Sequence, residues 1–272
     1  MSDPRTTVPT GTMGPAGNPG HPQAVSEDST SAWARTAWWS GAVSAGAFVL
    51  ATALVVAQGL DAFGAAPDYV ETERGQLADE ADFFAALFAH NDGLTAAVVV
   101  AETAFAVAFL ALIPLLAAAA RLSRSRHPAP WLALGFGTVA GTLVAVRSAL
   151  ALVAVPYWQP GWAEVPDEIV VAVGRGLDQQ DQAALGMFQA AFAVTAVMLA
   201  YLAAACRREA ALPVRLTSVC LLGAAALIVL TVLDLVNTPT DTLELVLSGL
   251  VGGVIAPLVA AGLGLHLRRL GH

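Results

Sequence analysis

Residues 94–156 read LTAAVVVAETAFAVAFLALIPLLAAAA, then RLSRSRHPAP, then WLALGFGTVAGTLVAVRSALALVAVP. Two apolar runs, 94–120 and 131–156, flank a short basic turn carrying Arg121, Arg124, Arg126 and His127. As helices, both runs reach across the hydrocarbon core of a bilayer, roughly 30 Å at about 1.5 Å per residue. Each holds one ionisable residue inside it, Glu102 in the first and Arg147 in the second. In an antiparallel pair these lie about eight and nine positions from the non-basic ends, so both sit roughly 12–14 Å deep. A lone charge at that depth costs several kcal/mol, so an acid and a base at matched depth are expected to pair. The stretch predicts an all-α, polytopic membrane bundle with a polar cluster inside it.

Composition agrees. Hydrophobic residues make up 57% of the 272 and charged residues 12%, and the mean hydropathy is +0.67. Such a chain is too apolar for a soluble domain of this length. The net charge of −8 hides a segregation of signs, because acids and arginines fall in different connections. All 13 basic residues are arginine and none is lysine. With alanine, glycine and proline abundant, that usage suggests a GC-rich bacterial genome. No basic patch with interleaved aromatics supports nucleic-acid binding. Cys206 and Cys220 alone can build neither a disulfide framework nor a zinc site. They are expected reduced and packed as small apolar groups, with acylation of Cys206 as the alternative.

Outward from the central hairpin, six spans are expected, at about 38–60, 94–120, 131–156, 184–206, 216–235 and 243–266, within a membrane domain of residues 37–268. Residues 1–36, rich in Pro, Gly, Ser and Thr at the start, are read as a disordered cytoplasmic tail. Trp33, Trp38 and Trp39 precede the first span at the headgroup level, and Tyr157, Trp158 and Trp162 follow the third. Kinks are expected at Pro114 and Pro257. Two long connections are acidic, 61–93 and 163–182. In the first, Leu77, Phe83, Phe84, Leu87 and Phe88 recur at helical spacing. In the second, Ile169, Val170, Val173 and Leu177 do so behind Pro166. The first is expected as an amphipathic helix on the outer interface or over the bundle mouth, and the second as another interfacial helix.

Counting arginines sets the topology. Ten fall in the tail, the second and fourth connections and the C-terminus, while the other three connections carry only Arg74 and Arg175. The positive-inside rule then puts both termini in the cytoplasm and the acidic connections outside.

Candidate site residues are the polar groups inside or near the outer halves of spans: Glu102, Arg147, Gln189 and Asp234. A structural ion pair weighs equally with a ligand-binding or proton-relaying pocket for Glu102 and Arg147. Catalytic residues, a metal and a cofactor are not expected. The chain has no GxSxG, HExxH, P-loop or CxxC, and its five histidines lie in tails, loops or span ends, which argues against bis-histidine haem. The expected partners are the lipid bilayer and a membrane protein or second copy docking on small-residue faces, with Gly137, Gly141, Gly249 and Gly253 the candidates.

Several segments also resemble a bacterial family of six-helix integral membrane proteins known only as a domain of unknown function. They are the small-residue first span, the acidic and alanine-rich segment from Ala78 to Asp92, Met187-Phe188-Gln189 at the fourth span, and Leu212-Pro213-Val214-Arg215 leading into Leu221-Leu222-Gly223. The resemblance implies the six-helix architecture and no activity. The function expected is a non-enzymatic inner-membrane protein with an outward-facing polar pocket. The alternatives are a small secondary transporter or proton-coupled carrier using Glu102 and Arg147, and third a membrane enzyme acting on lipid.

Overall fold

The computed structural model describes residues 27–69, 76–123, 127–159, 161–236 and 241–270, excepting the side chains at 27–28, 234–236, 241–242 and 244. Every regular element among them is helical. The elements are α1 (Glu27–Gly59), α2 (Gln76–Leu122), α3 (Ala129–Val153), α4 (Asp167–Arg208), α5 (Leu216–Val236), α6 (Asp241–Leu250) and α7 (Ala256–Leu270). A π-turn, Val251–Ile255, joins α6 to α7 in one rod. Six helices are long and apolar enough to cross a membrane, as expected from the runs of apolar sequence. Arg5, Arg74, Arg124 and Arg126 lie outside the described residues, as does most of the expected tail. The first helix starts at Glu27, inside the segment read as tail.

The helices form a closed ring. α1 packs between α2 and α7, α3 between α2 and α4, and α5 between α4 and α7. The interior is made of alanine, leucine and phenylalanine, with Leu115, Leu116, Leu202, Leu227 and Leu263 buried almost completely. Small residues let backbones approach where the ring is tightest. A Cβ added at Gly41 would lie 2.6 Å from the Ala260 carbonyl oxygen, and one at Gly264 2.8 Å from that of Ala37. Only glycine fits at this α1–α7 crossing. Gly137 and Gly141 seat Leu116, Ile113 and Phe109 of α2, and Gly249 and Gly253 face Val56 and Thr52 of α1. The four glycines expected as faces for a partner thus have neighbours within the chain.

One expectation is corrected. The acidic segments form no separate interfacial helices: α2 runs unbroken for 47 residues and α4 for 42. At about 1.5 Å per residue α2 is roughly 70 Å long, more than twice a hydrocarbon core. Polar residues such as His90, Asn91 and Asp92 end an apolar run but do not break a helix, since no proline interrupts the backbone hydrogen bonds there. The last span is irregular beside Pro257. Its irregularity is the π-turn at 251–255, in which the Ala256 N–H bonds to the Val251 carbonyl, just before Pro257. Proline at 257 has no N–H to offer the carbonyl four residues back, and the widened turn takes up that mismatch. At Pro114, α2 continues as helix.

The extensions of α2 and α4 pack on each other beyond the main bundle. Ala81, Phe84, Phe88, Val170 and Val171 are buried there as a second, smaller core. Phe84 lies against Gly174, where any Cβ would run into its ring. Trp162 closes one side, 5.1 Å from the Phe88 ring.

Candidate functional site

The site is built where α2, α3 and α4 leave the main core. Glu102 on α2 is buried, and the Arg147 guanidinium on α3 donates to its Oε1 in an ion pair. The adjacent Ser148 hydroxyl donates to Oε2 at 2.9 Å. Both carboxylate oxygens are thus held by consecutive residues of one helix. The Phe188 ring of α4 covers the guanidinium, 5.0 Å from its centroid, and lies at a tilt against Phe192. An arginine over an aromatic face keeps a favourable electrostatic contact where water is scarce. Arg147 Nε is buried without a hydrogen-bond partner.

The pair sits between two cavities and lines both. Outside it lies a vestibule of about 670 Å³, walled by the α2 and α4 extensions and the end of α3. Its lining includes Tyr69, Phe83, Phe84 and Trp158 together with Glu80, Arg175, Asp178 and Asp181. Arg175 Nε and the Glu80 carboxylate are 2.7 Å apart, and a second bond of 2.7 Å joins Nη2 to the other oxygen. This bidentate fork holds the Glu80 carboxyl below its usual range and raises Arg175. Asp178 accepts from Gln182, and among the described residues neither Asp178 nor Asp181 has an ion-pair partner. Gln180 Nε2 donates to the Leu150 carbonyl at 2.6 Å, tying α4 to the end of α3 above the pair.

Inside the pair lies a chamber of about 180 Å³ with almost wholly apolar walls. Phe48, Phe109, Leu112, Leu116, Leu202 and Leu263 are among them. Thr52 also lines it, and its hydroxyl is buried without a partner.

The structure joins two of the four residues expected at a site. Glu102 and Arg147 meet, as their matched depth implies. Gln189 is half-buried on α4 and lines neither cavity, one position from Phe188, which does. Asp234 lies near the end of α5, and its side chain is outside the described residues. Ser148 was not among the residues expected at the site. Its place beside Arg147 is the sequence signal for its role, whereas Thr138 and Thr142 bond back to their own helix. Phe188 carried no such signal. The two cysteines are buried and free, Cys206 facing inward at the end of α4. Among the described residues no three His, Cys, Asp or Glu side chains gather in a way that could hold a metal. No family model matches the chain, and no curated protein or solved structure does either.

Proposed function

We propose that this chain is a six-span protein of a bacterial cytoplasmic membrane, with both termini inside, whose outward-facing vestibule binds a ligand above the Glu102–Arg147 pair. The observation that carries the reading is the vestibule itself: a polar, aromatic-walled cavity of about 670 Å³ that ends on a buried ion pair. Concave sites with few, fixed polar groups are where proteins hold small molecules, and ionisable groups inside a span are retained for a use.

Membrane insertion is supported by the outer surface of the ring. Large apolar side chains such as Leu110, Val139, Val146, Leu222, Ile228 and Leu258 are exposed around it, and a bilayer is the solvent in which such a girdle is stable. Orientation is supported by the arginine-rich end. There Arg268 covers the Trp38 ring at 4.9 Å and Arg121 the Trp131 ring at 5.4 Å. Such pairs suit a headgroup layer, and the arginine excess suits the cytoplasmic one. The acidic extensions then stand outside. The six-helix arrangement also suits the family of unknown function that the sequence resembles.

A carrier is the second reading, favoured by the chamber directly beneath the pair. Cysteine accessibility separates the two. Ala151→Cys in the vestibule is expected to react with a membrane-impermeant thiol reagent added outside. Leu112→Cys in the chamber is expected to stay unreactive from both sides in a binding protein, and to react from the cytoplasm in a carrier. The native cysteines are buried and give a quiet background. Failure of the Ala151→Cys variant to react from outside would sink the vestibule reading altogether.

A further inference from the structure

The chamber has a shape as well as a volume. On α2 its lining runs from Glu102 to Leu116, on α4 from Phe188 to Leu202, and on the last rod from Ser248 to Leu263. Fourteen or fifteen helical positions correspond to roughly 21 Å along the bundle. A space of about 180 Å³ drawn out over such a length is narrow, the width of one unbranched chain and not of a ring system. Apolar cavities of this order stay dry and take apolar guests. The vestibule on the other side of Glu102 and Arg147 is the opposite: wide and partly charged. A long apolar slot behind a polar mouth, with the Glu102–Arg147 pair between them, is the negative image of an amphiphile.

The mouth also selects a sign. Of the charges lining it, Glu80 is neutralised by Arg175 and Glu102 by Arg147. Asp178 and Asp181 remain, in a lining that also holds the rings of Tyr69, Phe83 and Trp158. Carboxylates combined with aromatic faces recognise ammonium groups. Arg147 Nε, where the two cavities meet, and the Thr52 hydroxyl, in the chamber wall, are buried polar atoms without partners. Each suits an acceptor oxygen placed between a head and a chain.

Resting on the vestibule reading above, we propose that the ligand is a single-chain amphiphile with a cationic head. The ammonium lies in the vestibule near Asp178 and Asp181, and the hydrocarbon chain threads past Glu102 and Arg147 into the chamber.

The test uses the full chain in lipid nanodiscs and the choline ester of a dodecyl-length acid carrying a diazirine at the chain end. After irradiation, adducts are mapped on peptides. Adducts are expected at the deep chamber residues Leu116, Leu202 and Leu263, suppressed by excess dodecyltrimethylammonium and not by the same concentration of laurate. Asp178→Asn combined with Asp181→Asn, both outside the main core, should lower deep labelling roughly ten-fold, within the range that two partly exposed charge contacts supply. Adducts confined to the outer girdle, at Leu221, Leu222 or Val229, would overturn the proposal. Suppression by laurate equal to that by the ammonium would overturn its cationic head. If the chain labels only the girdle while the Ala151→Cys variant still reacts from outside, the amphiphile is lost and the vestibule reading survives. If that variant is also unreactive, both fall.

Discussion

The Arg147 guanidinium and the Glu102 carboxylate, 45 residues apart in the chain, close the contact between α3 and α2 and stand as the partition between two cavities. Because Ser148 holds the second carboxylate oxygen, Glu102 has a partner on each side and Arg147 keeps one buried nitrogen unused. The partition is fully bonded on its acidic side and unsatisfied on its basic side.

Removing one member of this pair leaves the other buried and alone. Glu102→Gln or Arg147→Gln should each destabilise the protein by about 3–5 kcal/mol, and the double variant should recover much of the loss. Ser148→Ala, which takes away a hydrogen bond to a charged group, should cost about 1.5–3 kcal/mol. Unfolding in a mild detergent measures all four. Additive single effects would mean that the two charges are solvated independently and that the partition is not a coupled unit.

The crossing of the α2 and α4 extensions depends on the missing side chain at Gly174. Gly174→Ala drives a methyl into the Phe84 ring, which is itself wedged between Phe83 and Phe88. Overpacking of this kind costs about 1–3 kcal/mol. Gly176, two positions on, has open space where its Cβ would be, so Gly176→Ala should be neutral or slightly stabilising through helix propensity. Limited proteolysis of the extensions should separate the two variants. Equal sensitivity would show that the ring does not set the crossing.

Acid should loosen the same crossing. The hydrogen bonds from Arg175 hold the Glu80 carboxyl below its ordinary value of 4.5, with burial opposing. A lowered carboxylate pKa contributes stability that is fully present above 4.5 and is lost as pH falls through the lower, folded-state value. Spin labels at Leu77 and Gly176 should therefore report a broader distance distribution on acidification below that point in the wild type. In Glu80→Gln the distribution should be broad already and should ignore pH over this range. An acid response that persists in Glu80→Gln would assign it to another group.

At the α1–α7 crossing, backbone meets backbone. Gly41→Ala and Gly264→Ala should each weaken the bundle by about 1–3 kcal/mol, since the obstructing atoms are carbonyl oxygens that cannot swing away. Gly46→Ala, on the same helix with nothing near its Cβ, is the matched control. Melting temperatures in detergent decide, and three equal values would show that the two rods can separate freely.

The amino-acid sequence by itself determined the number of apolar helices and the acid and base that meet between two of them. Both follow from local quantities: the length of a run without charge, and the count of residues from its end. It could not determine where those helices stop. Hydropathy registers where a chain leaves an apolar layer, while a helix ends where its backbone hydrogen bonds end, and nothing between Phe88 and Leu94 or between Leu177 and Ala184 breaks them. The tertiary structure alone decided that the extensions cross at Gly174, that Gly264 and not Gly249 lies where backbone meets backbone, and that Ser148 and Phe188 complete the surroundings of the pair. It alone divided the interior into a wide polar mouth and a narrow apolar slot. A cavity is what several helices fail to fill together, and no single helix carries a record of it.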